Sequence, residues 1–69
     1  MKYNSVNEIG LGESVLYEGK EYLVLINYIK GETDKQGYTP KTNRTILIDD
    51  GDRKIVVNDY RKLTVASKM

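Results

Sequence analysis

The segment Tyr17–Lys30, YEGKEYLVLINYIK, constrains this chain more than any other. A glycine turn at Gly19 opens into a run dominated by Tyr, Leu, Val and Ile, residues that suit a pleated, packed surface. Two-residue alternation puts Tyr22, Val24, Ile26 and Tyr28 on one face, and Leu23, Leu25 and Ile29 on the other. Both faces are apolar, so the strand either lies between layers or bends to serve two sheets. No long helical periodicity accompanies it, which favours a bent strand at the corner of a barrel or orthogonal sandwich.

Turn signals divide the rest of the chain. Glu13–Glu18 reads as a first strand, and Gly19-Lys20 supplies the positive φ of a tight hairpin. Asp50-Gly51, a type I′ signal, joins strands Arg44–Asp49 and Arg53–Asn58. A two-residue loop there sets Asp49 against Asp52, a like-charge pair that Arg53 and Lys54 offset. Asn58–Arg61 reads as one tight turn before a short closing strand, Leu63–Ala66. Ser5-Val6-Asn7-Glu8 has capping-box spacing for a helical turn, ended by Gly10 and Gly12. Residues 1–11 therefore form an arm or single turn, 12–66 the domain with a long polar loop at 31–43, and 67–69 a fraying end.

Five short strands, one bent, with a single turn before the last, resemble the SH3-like small β-barrels, especially their Tudor- and KOW-type members. G-E-S-V-L-Y-E-G-K-E-Y, residues 12–22, fits the pattern, and the resemblance spans residues 12–66. It implies an all-β, five-stranded barrel that binds rather than catalyses. It does not imply a ligand, because no full aromatic cage maps onto this chain.

Composition narrows the chemistry. The chain has no Cys and no His, hence no thiolate nucleophile, no imidazole base and no His- or Cys-based metal centre. Asp49, Asp50 and Asp52 cluster, but backbone geometry explains an Asp-Gly hairpin, and no Glu follows at EF-hand distance. The expectation is a non-enzyme without cofactor or metal. No signal peptide or spanning segment is evident, which reads as a cytosolic protein without membrane contact. At 69 residues a hydrophobic core is barely self-sufficient, so a homo-oligomer is a live expectation.

Net charge is +1, divided as −2 over residues 1–39 and +3 over 40–69. Tyr38 stands in a polar, glycine-containing loop with no evident core to fill, near Lys41 and Arg44. Arg53 and Lys54 follow in the hairpin, and Tyr60 and Arg61 occupy the last turn. Rings interleaved with cations suit base stacking and phosphate contact. These seven residues are the candidate site for a nucleotide-type ligand or nucleic acid. A net charge of +1 fits a small nucleotide better than a long polyanion. The alternative is a protein-interaction module or inhibitor docking on a host protein through the 31–43 loop or a strand edge, since Tyr and Arg also anchor interfaces. The small size and the abundance of Asn, Lys, Ile and Tyr resemble accessory proteins of phages and mobile elements.

Overall fold

The computed structural model describes residues 2–66. Its elements follow the turn signals. A 3₁₀ turn at Val6–Glu8 precedes strands β1 (Ser14–Tyr17), β2 (Lys20–Tyr28), β3 (Arg44–Ile48) and β4 (Lys54–Val57). A second 3₁₀ turn at Tyr60–Lys62 leads into β5 (Thr64–Val65). All pairings are antiparallel, in the order β4-β3-β2-β1-β5. The protein is all-β, with 3₁₀ turns as its helical elements among the described residues. β4 and β5 are the two edges of the sheet, which does not close into a hydrogen-bonded barrel. The expected fraying at 67–69 lies outside the described residues.

Each hairpin differs from its expected geometry for a local reason. Tyr17 pairs with Lys20, so the first loop is Glu18-Gly19 and Lys20 already belongs to β2. Both loop residues have positive φ, 52° and 81°, as a type I′ turn requires. At the second hairpin Ile48 pairs with Lys54, and the Asp49 amide donates to the Arg53 carbonyl at 3.0 Å. The loop thus has three residues, Asp50–Asp52, with Asp52 at φ 63° in the left-handed position that ends such loops. This corrects the two-residue type I′ reading. Asp49 opposes Arg53 rather than Asp52, and the like-charge pair does not arise.

A β-bulge in β2 decides the faces. Val24 pairs with Leu47, but the next pair is Ile26 with Ile46, leaving Leu25 as the extra residue. Strict alternation groups Ile26 and Tyr28 with Tyr22 and Val24. The bulge sends Ile26 and Tyr28 to the opposite face and turns Asn27 inward, opposite Thr45.

The inner face carries Val15, Val24, Leu47 and Val57, all buried. Residues from outside the sheet cover it: Tyr3, Val6 and Ile9 from the N-terminal arm, and Leu63 after the last turn. The arm is therefore part of the core. Its turn is capped by the Ser5 hydroxyl, which accepts from the Asn7 amide at 3.2 Å. The Glu8 carboxylate reaches back to the Asn4 amide at 3.0 Å, one residue beyond the Ser5 amide that a capping box uses. Asn27 ties the arm to the sheet. Its Nδ2 donates to the Val6 carbonyl at 3.0 Å, and its Oδ1 accepts from the Thr45 hydroxyl at 2.8 Å.

Candidate functional site

The outer face of the sheet has no covering layer among the described residues. Leu16 of β1, Leu23, Leu25 and Ile26 of β2, and Val56 of β4 are all exposed, Val56 to 55 % and Leu23 to 49 %. Ile46 and Ile48 of β3 complete the field, because Ile26, Ile46 and Val56 form one cross-strand row and Leu23 and Ile48 another. The bulge enlarges it by adding Ile26. Scattered surface aliphatics need no explanation, but these are contiguous, and contiguous apolar patches on small proteins mark interaction sites. Glu21 and Lys54, of opposite charge, share this face by register, toward the end where the two hairpin loops lie.

An aromatic cluster with one cation stands at the other end. The Tyr28 and Tyr38 rings meet edge to face with centroids 5.6 Å apart. The Arg44 guanidinium lies 5.1 Å from the Tyr28 ring centre and donates to the Tyr38 hydroxyl at 2.7 Å. Tyr28 and Arg44 are cross-strand partners, so their meeting follows from register. Tyr38 arrives because the 31–43 loop is organised. The Asp34 carboxylate accepts from the amides of Gln36 and Tyr38, each at 2.9 Å, and the Gly31 amide bonds the Pro40 carbonyl at 3.0 Å. The Tyr38 ring is 44 % exposed, so it leans on Tyr28 while keeping an open side.

The seven sequence-predicted residues do not converge. Tyr38 and Arg44 meet, and Lys41 lies exposed in the same loop. Arg53 and Lys54 flank the opposite end of β3, about 14 Å away along a strand rising ~3.4 Å per residue. Tyr60 packs against the core and donates its hydroxyl to the Asn4 carbonyl at 3.3 Å. Arg61 grips Asp59 with two bonds, Nε to Oδ1 at 2.9 Å and Nη2 to Oδ2 at 3.1 Å. That bond raises the Arg61 pKa and lowers that of Asp59, which also caps the last turn through the Arg61 amide. Tyr60 and Arg61 thus hold the arm and turn in place. Tyr28, which is not among those seven residues, belongs to the cluster. Only the position of the bulge could have revealed it.

Asp49 has a structural task. Its Oδ1 accepts from the Gly51 amide at 2.8 Å and the Arg53 amide at 2.9 Å, and its Oδ2 accepts from Lys20 at 3.1 Å. Those bonds, the Arg53 amide first, hold its carboxyl below the usual aspartate range. Lys20 shifts upward for the reciprocal reason and also lies 5.5 Å from the centre of the Tyr22 ring. Beside Asp49, a shallow hollow of about 270 Å³ is lined by Glu21, Tyr22, Leu23, Ile48 and Asp50. Its charged lining residues are Glu21, Asp49 and Asp50, all acidic, and among the described residues no cation lines it to hold a phosphate. Among the described residues no three acidic side chains gather to hold a metal ion, and no helix is long and apolar enough to cross a membrane. Compared with known proteins, the chain matches no family model, no curated protein and no solved structure.

Proposed function

We propose that this protein is a non-catalytic protein-interaction module whose outer sheet face is the docking surface. The observation that carries this reading is the contiguous field of Leu16, Leu23, Leu25, Ile26 and Val56, each exposed on a sheet whose other face is already covered. Tyr38 and Arg44 border the field, and such residues commonly anchor interfaces. The element order, five strands with one turn before the last, supports an SH3-like arrangement left open between the edge strands β4 and β5. A cytosolic setting and a phage or mobile-element source belong to the same reading.

A photo-reactive amino acid at position 56, compared with one at position 18 on the hairpin loop, tests it in cells. Protein adducts specific to position 56, and lost when Leu23→Lys is added, support the face as a docking surface. Equal labelling from both positions would reject it.

A nucleotide-type ligand is the second reading, favoured by the Arg44 guanidinium held between two tyrosines. It ranks lower because the remaining cations are dispersed or engaged elsewhere. Amide shifts confined to residues 38–44 on titration with nucleotides would restore it.

A further inference from the structure

We infer that β4 is a recognition edge, where an extended segment of another protein adds antiparallel to the sheet, with an apolar residue opposite Val56 and an acidic one opposite Lys54. This inference rests on the interaction reading above and names the partner's chemistry. The two edge strands of the sheet differ. Lys2 bridges to Thr64 on the side of β5 that faces away from β1. No strand or bridge among the described residues takes the corresponding side of β4. β4 also lacks the proline and the bulge that commonly close an edge.

Register decides which backbone groups this edge offers. The Asp49 amide bonds the Arg53 carbonyl, and bonded and non-bonded pairs alternate along an antiparallel ladder. Leu47–Ile55 and Thr45–Val57 are therefore bonded pairs, whereas Ile48–Lys54 and Ile46–Val56 are not. The amides and carbonyls of Lys54 and Val56 thus point away from β3, toward the open side, and both residues are exposed. A strand that bonds these groups places one residue opposite Val56, prolonging the Ile26–Ile46–Val56 row. The second residue after it then stands opposite Lys54.

Charge selects the occupant. Arg53 and Lys54 are exposed at the start of this edge, and neither forms an ion pair among the described residues. An acidic residue directly opposite Lys54 is attracted, whereas a basic one is repelled. A second copy does not supply that acid. Two β4 strands related by a two-fold axis set Lys54 against Val56, Asn58 or another Lys54, and reach Asp52 only by setting Arg53 against Arg53. A segment with a β-branched residue two positions before an acidic one meets both requirements. The contact spans few residues, so binding is weak and exchanges quickly.

Amide exchange of the full chain with the capped peptide Thr-Val-Thr-Val-Thr-Glu-Thr is the test. In the free protein the Lys54 and Val56 amides should exchange much faster than those of Ile55 and Val57, and the peptide should slow them several-fold. Methylating the peptide nitrogens of the central valine and the glutamate, which face β4, should weaken binding about ten-fold or more, the loss expected of two hydrogen bonds. Methylating the threonine between them should not. Replacing the glutamate by lysine should weaken binding, and Lys54→Glu in the protein should restore it for that peptide. Lys54 and Val56 amides already slow in the free chain overturn the inference, as does exchange unmoved by millimolar peptide or binding indifferent to the charge swap. Protection that grows with protein concentration alone assigns the edge to a second copy and overturns it as well. If the edge fails but position-56 adducts with other proteins form, the interaction reading stands without it. If those adducts are absent too, both fall.

Discussion

Replacing Asn27 by Ala should detach the N-terminal arm from the sheet. Asn27 bonds the Val6 carbonyl at 3.0 Å, makes a longer contact of 3.4 Å to the Ile9 carbonyl, and receives the Thr45 hydroxyl at 2.8 Å. Thr45 is only 2 % exposed, so its hydroxyl would lose its partner in a place poorly reached by water. Losing two good hydrogen bonds, each worth about 1 kcal/mol net, and stranding a buried hydroxyl together cost roughly 2–3 kcal/mol. An unfolding entropy of about 2.1 cal/mol/K per residue converts this to a fall in Tm of ~14–20 °C for a chain of this length. Thermal melts of both proteins at one fixed low concentration read this directly. Amide exchange at Val6–Ile9 should quicken more than exchange in β3, because the bonds lost anchor the arm. Pairing Asn27→Leu with Thr45→Val should recover part of the loss, since removing both polar partners leaves neither stranded. A fall in Tm below about 4 °C for Asn27→Ala, under the ~1 kcal/mol of a single bond, would refute the reasoning and show that apolar contacts alone hold the arm.

Three further outcomes follow from individual residues. The Tyr3 hydroxyl is buried without a partner among the described residues, so Tyr3→Phe should match or exceed wild-type stability by up to ~1 kcal/mol in urea titrations. Burial, with a smaller contribution from Glu13, raises the Tyr3 pKa above 10.0. Its contribution is complete below the unfolded-state value and is lost as pH rises through the folded one, so Tyr3→Phe should flatten the alkaline limb of Tm against pH. Asp49 has the opposite sign: its lowered pKa adds stability above about 3.8 that disappears as pH falls through the folded value. Asp49→Asn should lower Tm at neutral pH and flatten the acid limb; an unchanged acid limb would mean Asp49 is not clamped. Glu18 occupies a left-handed position at φ 52° that suits Asn better, so Glu18→Asn should stabilise the first hairpin by about 0.5–1 kcal/mol in the same urea titration. No gain there would mean that Glu18 is unstrained.

Much of the architecture was legible in the sequence because turn chemistry is local. Positive φ at Gly19, capping at Ser5 and a turn before Leu63 each need only a few neighbouring residues, and strand boundaries followed within one or two positions. Apolar residues on both faces of Tyr22–Ile29 predicted a strand covered on both sides, whereas Leu23, Leu25 and Ile26 stand exposed on the outer face of a single open sheet. The candidate site was less legible. Tyr38 and Arg44 meet through a loop folded by Asp34 and a pairing register set by the bulge, whereas Arg53, Lys54, Tyr60 and Arg61, close in sequence, point to different tasks.

By itself the sequence determined that this chain is all-β, rich in tight turns and without His or Cys chemistry, because composition and short-range sterics suffice for those conclusions. Only the tertiary structure decided which side chains share a face. One extra residue at Leu25 shifts everything after it by one step of a two-residue period, sending Ile26 and Tyr28 out and Asn27 in. Periodicity cannot reveal that step where the residues on both sides of it are equally apolar. Only pairing with β3 fixes it, and with it the apolar surface on which the proposed function rests.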